Sequence, residues 1–93
     1  MAYFLREADV KQLLTMDIAL EWTGRSLRDR ALGKAIDIPR VRTHIPQGIQ
    51  HVLQAAAPEL GYIGFKYYYT RPTGKVFYVH LIDVESGKLT AII

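Results

Sequence analysis

The chain has 93 residues, 49% of them hydrophobic and 23% charged, with a formal net charge of +3 and no cysteine. That is enough for one folded domain, and it excludes a disordered chain, a disulfide framework and a thiolate metal site. A domain this short buries only about 60–65% of the surface its unfolded chain exposes, so its stability is marginal from the outset. Apolar runs are too short for a membrane span, and Met1-Ala2-Tyr3-Phe4-Leu5-Arg6 lacks the layout of a signal peptide. The expectation is a cytoplasmic protein. Twelve basic residues against nine acidic ones, well mixed, describe a solvated surface, with only a slight pull towards anionic partners.

In chain order, Tyr3-Phe4-Leu5 reads as a short edge strand. Glu7 to Leu14 carries Val10, Leu13 and Leu14 at helical spacing, with acids in its first turn where the helix dipole favours them. Thr15 is placed to cap a longer helix ending near Gly33, with Ile18, Leu20, Trp22, Leu27 and Ala31 as its apolar stripe. Glu21, Arg25 and Asp29, four apart, predict a ladder of ion pairs on the opposite side, and Gly24 is a weak point within the helix. From Ile38 the period changes to two. Val41, Thr43 and Ile45 then alternate with Arg40, Arg42 and His44, separating an apolar face from a basic one. Strands over His51–Ala55, Tyr62–Arg71, Val76–Val84 and Leu89–Ile93 follow, with Pro46-Gln47-Gly48-Ile49, Pro58–Gly61, Pro72-Thr73-Gly74 and Glu85–Lys88 as connections. The last strand is apolar to its final residue, which reads as a sequence that once continued.

Three groups of residues carry chemistry. Arg40 and Lys66 are suited to a carboxylate, a guanidinium fork beside an ammonium; the plainer alternative has Lys66 on an exposed sheet face, snorkelling outward. If Gln47-Gly48 forms a two-residue turn, His44 faces His51, but no third metal ligand accompanies them and no metal site is expected. If Pro72-Thr73-Gly74 is a three-residue loop, His80 faces Lys66 and lies near a bound anion. Tyr67, Tyr68 and Tyr69 sit among basic residues in the manner of a single-strand nucleic-acid platform, yet alternation sends Tyr68 to one face and its neighbours to the other. There is no Gly-x-Gly-x-x-Gly run, no complete phosphate loop and no nucleophile paired with a base.

The stretch from Pro39-Arg40-Val41-Arg42 to Pro46, then Leu53-Gln54-Ala55, Leu60-Gly61-Tyr62-Ile63-Gly64-Phe65-Lys66, Thr70-Arg71-Pro72 and Asp83-Val84-Glu85-Ser86-Gly87-Lys88-Leu89, resembles the ornithine cyclodeaminase/mu-crystallin family. The resemblance runs through nearly the whole chain and rests on the order and spacing of these segments together. It implies an amino-terminal domain of helices on a mainly antiparallel sheet, two of which pair to form a dimer. It also implies that Arg40 and Lys66 bind the carboxylate region of an amino-acid or cyclic imine substrate. The family's NAD(P) and its catalytic aspartate belong to a Rossmann domain that these residues do not contain. Leu53-Gln54 stands where the family usually has Met-Pro, and Thr73 where Asn is often found.

The resulting expectation is an α+β fold forming one domain over residues 1–93, with two amino-terminal helices packed on a sheet of five to six strands and no Rossmann domain. This truncated or stand-alone domain pairs as a homodimer through the sheet and binds an amino acid or other small carboxylate at Arg40 and Lys66. His80 and Arg42 are secondary contacts. No catalytic residue, metal or cofactor is assigned to the chain. Three rivals remain: one half of a split NAD(P)-dependent enzyme completed by a separate cofactor-domain chain, a small nucleic-acid-binding module using Arg40, Arg42 and Lys75, and a structural remnant without a ligand.

Overall fold

The computed structural model describes residues 2–93. A two-residue strand, β1 (Tyr3–Phe4), leads into helices α1 (Glu7–Leu13) and α2 (Met16–Ala31). Four ten-residue strands follow, β2 (Ile36–Ile45), β3 (Gly48–Ala57), β4 (Tyr62–Arg71) and β5 (Gly74–Asp83), and then the four-residue β6 (Leu89–Ile92). One turn of 3-10 helix, Pro58–Leu60, separates β3 from β4. They build one sheet in the order β1-β6-β5-β4-β3-β2, antiparallel throughout except for the parallel pair of β1 with β6. The fold class is the expected α+β.

The helices start and stop where their cap residues say they should. The backbone N–H of Arg6 donates to the Asp9 carboxylate at the start of α1. The Thr15 hydroxyl accepts from the Ile18 N–H at the start of α2. Gly33, at φ +76°, takes the left-handed conformation that ends the second helix. The predicted Glu21–Arg25–Asp29 ladder does not form among the described residues; the Arg25 guanidinium instead lies 4.9 Å over the Trp22 ring.

Both proline hairpins are one residue tighter, or shifted, relative to the sequence expectation. Ile45 pairs with Gly48 and Arg71 with Gly74, so Pro46-Gln47 and Pro72-Thr73 are the central residues of two-residue turns. Proline supplies its fixed φ at the first central position, and glycine falls just after the turn. His44 therefore faces Ile49, and it is Arg42 that faces His51.

The register of β2 also shifts between Ile38 and Val41, placing Pro39 and Arg40 together opposite Leu53. This bulge is what lets Ile36 and Ile38 share a face with Val41 and Ile45 while Arg40 and Arg42 take the other. Pro39 needs no ladder hydrogen bond there, on an edge strand.

Packing is looser than the helical pattern implies. No residue of α1 or α2 is buried, and Met16, Leu20 and Leu27 remain exposed. Among the described residues only Tyr68, Ala91 and His51 are buried, and no large side chain is fully enclosed. The radius of gyration, 14.7 Å, exceeds the roughly 13 Å usual for even a 100-residue domain. An exposed ion pair joins Arg30 of α2 to Asp37 of β2, and another joins Lys34, just past the helix, to Glu59 in the 3-10 turn. The sheet thus has two largely open faces. On one, Ile38, Val41, Ile45, Val52, Ile63 and Phe65 form an apolar surface with a shallow hollow of about 370 Å³ between Val52, Phe65 and Ile82.

Candidate functional site

The other face is cationic. Pair register arranges it in three rungs across β2, β3, β4 and β5. The first holds Arg40, on the bulge, with Leu53, Lys66 and Val79; the second holds Arg42, His51, Tyr68 and Phe77; the third holds His44, Ile49, Thr70 and Lys75. Residues two apart along a strand stand roughly 6.5–7 Å apart, which is the spacing between rungs. Alternation puts Arg40, Arg42 and His44 on one side, and the bulge moves Ile36 and Ile38 off that side.

Arg40 and Lys66 meet over one ring. The Arg40 guanidinium carbon and the Lys66 Nζ each lie 5.6 Å from the centre of the Tyr68 ring, and Lys66 Nζ lies 5.1 Å from that of Phe77. Both side chains are exposed, so Lys66 does snorkel outward, along an aromatic wall. The wall is a stack: His51 on Tyr68 at 4.1 Å and Tyr68 on Phe77 at 5.0 Å, with interplanar angles of 6° and 23°. The charged heads lie against the stacked rings, and both residues remain exposed.

None of Arg40, Arg42, Lys66 and Lys75 is in an ion pair among the described residues, where the pairs are Lys11–Glu7, Arg30–Asp37 and Lys34–Glu59. Within the rungs there is no carboxylate. Asp83, two rungs further along, accepts a hydrogen bond from the Glu85 N–H and is a turn residue, as its sequence setting implies.

His51 forms the floor of this face. Its Nε2 lies 3.3 Å from the Thr70 hydroxyl, which donates in turn to the Ile49 carbonyl. The buried Nδ1 has no hydrogen-bond partner among the described residues. Burial pushes the His51 pKa below its ordinary value, and the positive charges of Arg42 and Arg40, with His44 and Lys75, push it the same way.

His80 does not belong to the site. With a two-residue turn, Val79 faces Lys66 and His80 faces Phe65, against whose ring it stacks at 4.5 Å on the apolar face. A slip of one residue turns a side chain to the other side of the sheet. The sequence reading of His80 as a secondary contact is corrected on that ground. Arg42 lies on the cationic face together with Tyr68, Thr70 and Lys75, where alternation counted from the correct turn places them.

Among the described residues no group of metal-ligating side chains occurs, and no helix is long and apolar enough to cross a membrane. No glycine-rich turn leads from a strand into a helix in the manner of a dinucleotide site. The residues present do not fit NAD(P), and no redox step is assigned to them.

No protein-family model and no curated sequence matches the chain. Solved structures do. A probable ornithine cyclodeaminase from Bordetella pertussis Tohama I superposes on 99% of the chain with a TM-score of 0.92 at 25% identity. The chain is thus similar in fold to one part of ornithine cyclodeaminase. An archaeal alanine dehydrogenase, a dimer with bound NAD, matches 98% of the chain with a TM-score of 0.89 at 26% identity. The iminosuccinate reductase of Paracoccus denitrificans, in complex with NAD+, has the same fold over 98% of the chain, with a TM-score of 0.90 at 20% identity. The chain spans only 30–31% of the length of these proteins, so most of each has no counterpart in the 93 residues.

Proposed function

We propose that residues 1–93 act as the substrate-binding and dimer-forming domain of an ornithine cyclodeaminase-like protein, holding the carboxylate of an amino acid or imino acid between Arg40 and Lys66. The observation that carries this is the convergence of two exposed, unpaired cations on Tyr68. A guanidinium binds a carboxylate through two parallel hydrogen bonds, and an ammonium beside it adds a third donor. The proteins of the same fold are named for ornithine, alanine and iminosuccinate, all of which carry a carboxylate next to an amino or imino carbon. Hydride transfer would need the cofactor domain, in another chain or another part of the same protein. A reducing compartment such as the cytoplasm suits a chain without cysteine.

The apolar face supports pairing of two copies through the sheet. Nucleic-acid binding is disfavoured by the same geometry: His51 and Phe77 cover both faces of the Tyr68 ring, leaving none for a base.

The test is thermal stabilisation by L-alanine and L-ornithine. Arg40→Ala and Lys66→Ala should each abolish the ligand-induced shift while leaving the ligand-free melting temperature nearly unchanged, because both side chains are exposed. An undiminished shift in either variant would reject the assignment.

A further inference from the structure

His51 is only 7% exposed, the one buried polar side chain among the described residues apart from the Tyr68 it stacks on, and carboxylate binding as described gives it no part. Its ring lies flat on Tyr68 at 4.1 Å, and the Arg40 guanidinium and Lys66 ammonium each lie 5.6 Å from the centre of that same ring. One aromatic ring therefore joins the imidazole to both carboxylate-holding cations. Arg42 faces His51 directly on β2, with Arg40 and His44 to either side. From β4 come Lys66, Tyr68 and Thr70, and from β5 Phe77 and Lys75; Ile49 and Leu53 flank it along β3. No carboxylate faces it from any of these strands among the described residues. The neutral ring is favoured in this enclosure: a proton would add a positive charge among cations, and the buried Nδ1 has no partner to meet. A bound carboxylate reverses the first effect by supplying the negative charge that the enclosure lacks. Proton and anion then favour each other, and the coupling is reciprocal.

We propose that carboxylate binding at Arg40 and Lys66 draws a proton from solvent onto the buried His51, so that this site takes up ligand and proton together and binds more tightly as pH falls. The inference rests on the carboxylate reading of Arg40 and Lys66 and adds a regulation to it. Stacking on Tyr68 and the contact of Nε2 with the Thr70 hydroxyl hold the imidazole beneath the cations, where it senses the ligand's charge through the ring between them. A unit charge about one ring away, in surroundings between protein and water, changes an affinity about threefold to tenfold.

The experiment is calorimetric titration of the chain with L-alanine between about pH 5.5 and 7.5, the range in which an imidazole titrates. Each titration is run in two buffers of different ionisation enthalpy, which counts the protons taken up. The three histidine rings are followed by NMR with and without L-alanine. Affinity should rise about threefold to tenfold towards the acid end, with net proton uptake and the His51 titration moved to higher pH by the ligand. His51→Gln should still bind L-alanine, with an affinity indifferent to pH; if that variant does not fold, the ring resonances of the unsubstituted chain carry the same test. Binding that is lost in Arg40→Ala but equal at every pH, or proton uptake that falls on His44 with His51 unmoved, would overturn the coupling and spare the carboxylate site. Failure of L-alanine to bind, or binding indifferent to Arg40→Ala, would overturn both.

Discussion

Arg40 and Lys66 approach the same aromatic ring from different strands, and the ring fixes where their charges can go. Tyr68 is buried between His51 and Phe77, whereas the two cations are exposed. Removing either cation should cost about 1.5–3 kcal/mol of carboxylate binding, the range for hydrogen bonds to charged groups. His51 gives the site a pH dependence. Its folded pKa is below the unfolded value of 6.5, so between the two the unfolded chain binds more protons. Stability is therefore full above about 6.5 and declines as pH falls towards the folded value. An anion beside Arg40, Arg42, His44, Lys66 and Lys75 offsets the positive field and reduces that loss. Melting temperatures measured across pH 5–8, with and without L-aspartate, should diverge as pH falls, the ligand-free value dropping further; His51→Gln should flatten the ligand-free profile. Much of this was legible from residue type: a lone lysine in an aromatic strand and an arginine alternating with apolar residues. The role of His51 was not, because it depends on which residue faces it.

At the scale of elements, strand identity was easier to read than strand register. Alternation located Tyr62–Arg71 to the residue. The hairpins were harder, since Pro46-Gln47-Gly48 and Pro72-Thr73-Gly74 each contain a glycine that suits a turn centre but is used just after it. That difference moved His51 from His44 to Arg42 without changing faces, and moved His80 across the sheet. The bulge at Pro39-Arg40 had no clear signal beyond the proline itself, yet it sets the faces of β2. Two glycines give opposite predictions. Gly24 has open space where a Cβ would stand, so Gly24→Ala should stabilise the helix by about 0.5–1 kcal/mol. A Cβ at Gly64 would fall 2.3 Å from the His80 carbonyl oxygen, so Gly64→Ala should destabilise by about 1–3 kcal/mol. Urea denaturation measures both; a neutral Gly64→Ala would mean β4 and β5 are less closely packed than described.

For the whole molecule, the decisive feature is a sheet with two different faces and little beneath either. Val41 and Ile63 are 56% and 45% exposed on the apolar side, and fully burying a side chain of that kind is worth about 1.5–3 kcal/mol. A single copy forgoes that stabilisation; two copies joined face to face recover it. The account accordingly predicts a dimer at tens of micromolar by sedimentation, dissociated by Val41→Asp or Ile63→Asp, and a folded monomer of the unsubstituted chain would contradict it. The sequence separated the faces by alternation, but the open packing of the helices was not legible. Their apolar stripes look the same whether they cover this sheet or another surface. The most direct test of the division between faces is an amide-resolved NMR titration of the labelled chain with L-aspartate. Shifts concentrated at Arg40, Arg42, His51, Lys66 and Tyr68 are predicted. Shifts centred on Val52, Phe65 and Ile82, or none at saturating ligand, would contradict the account.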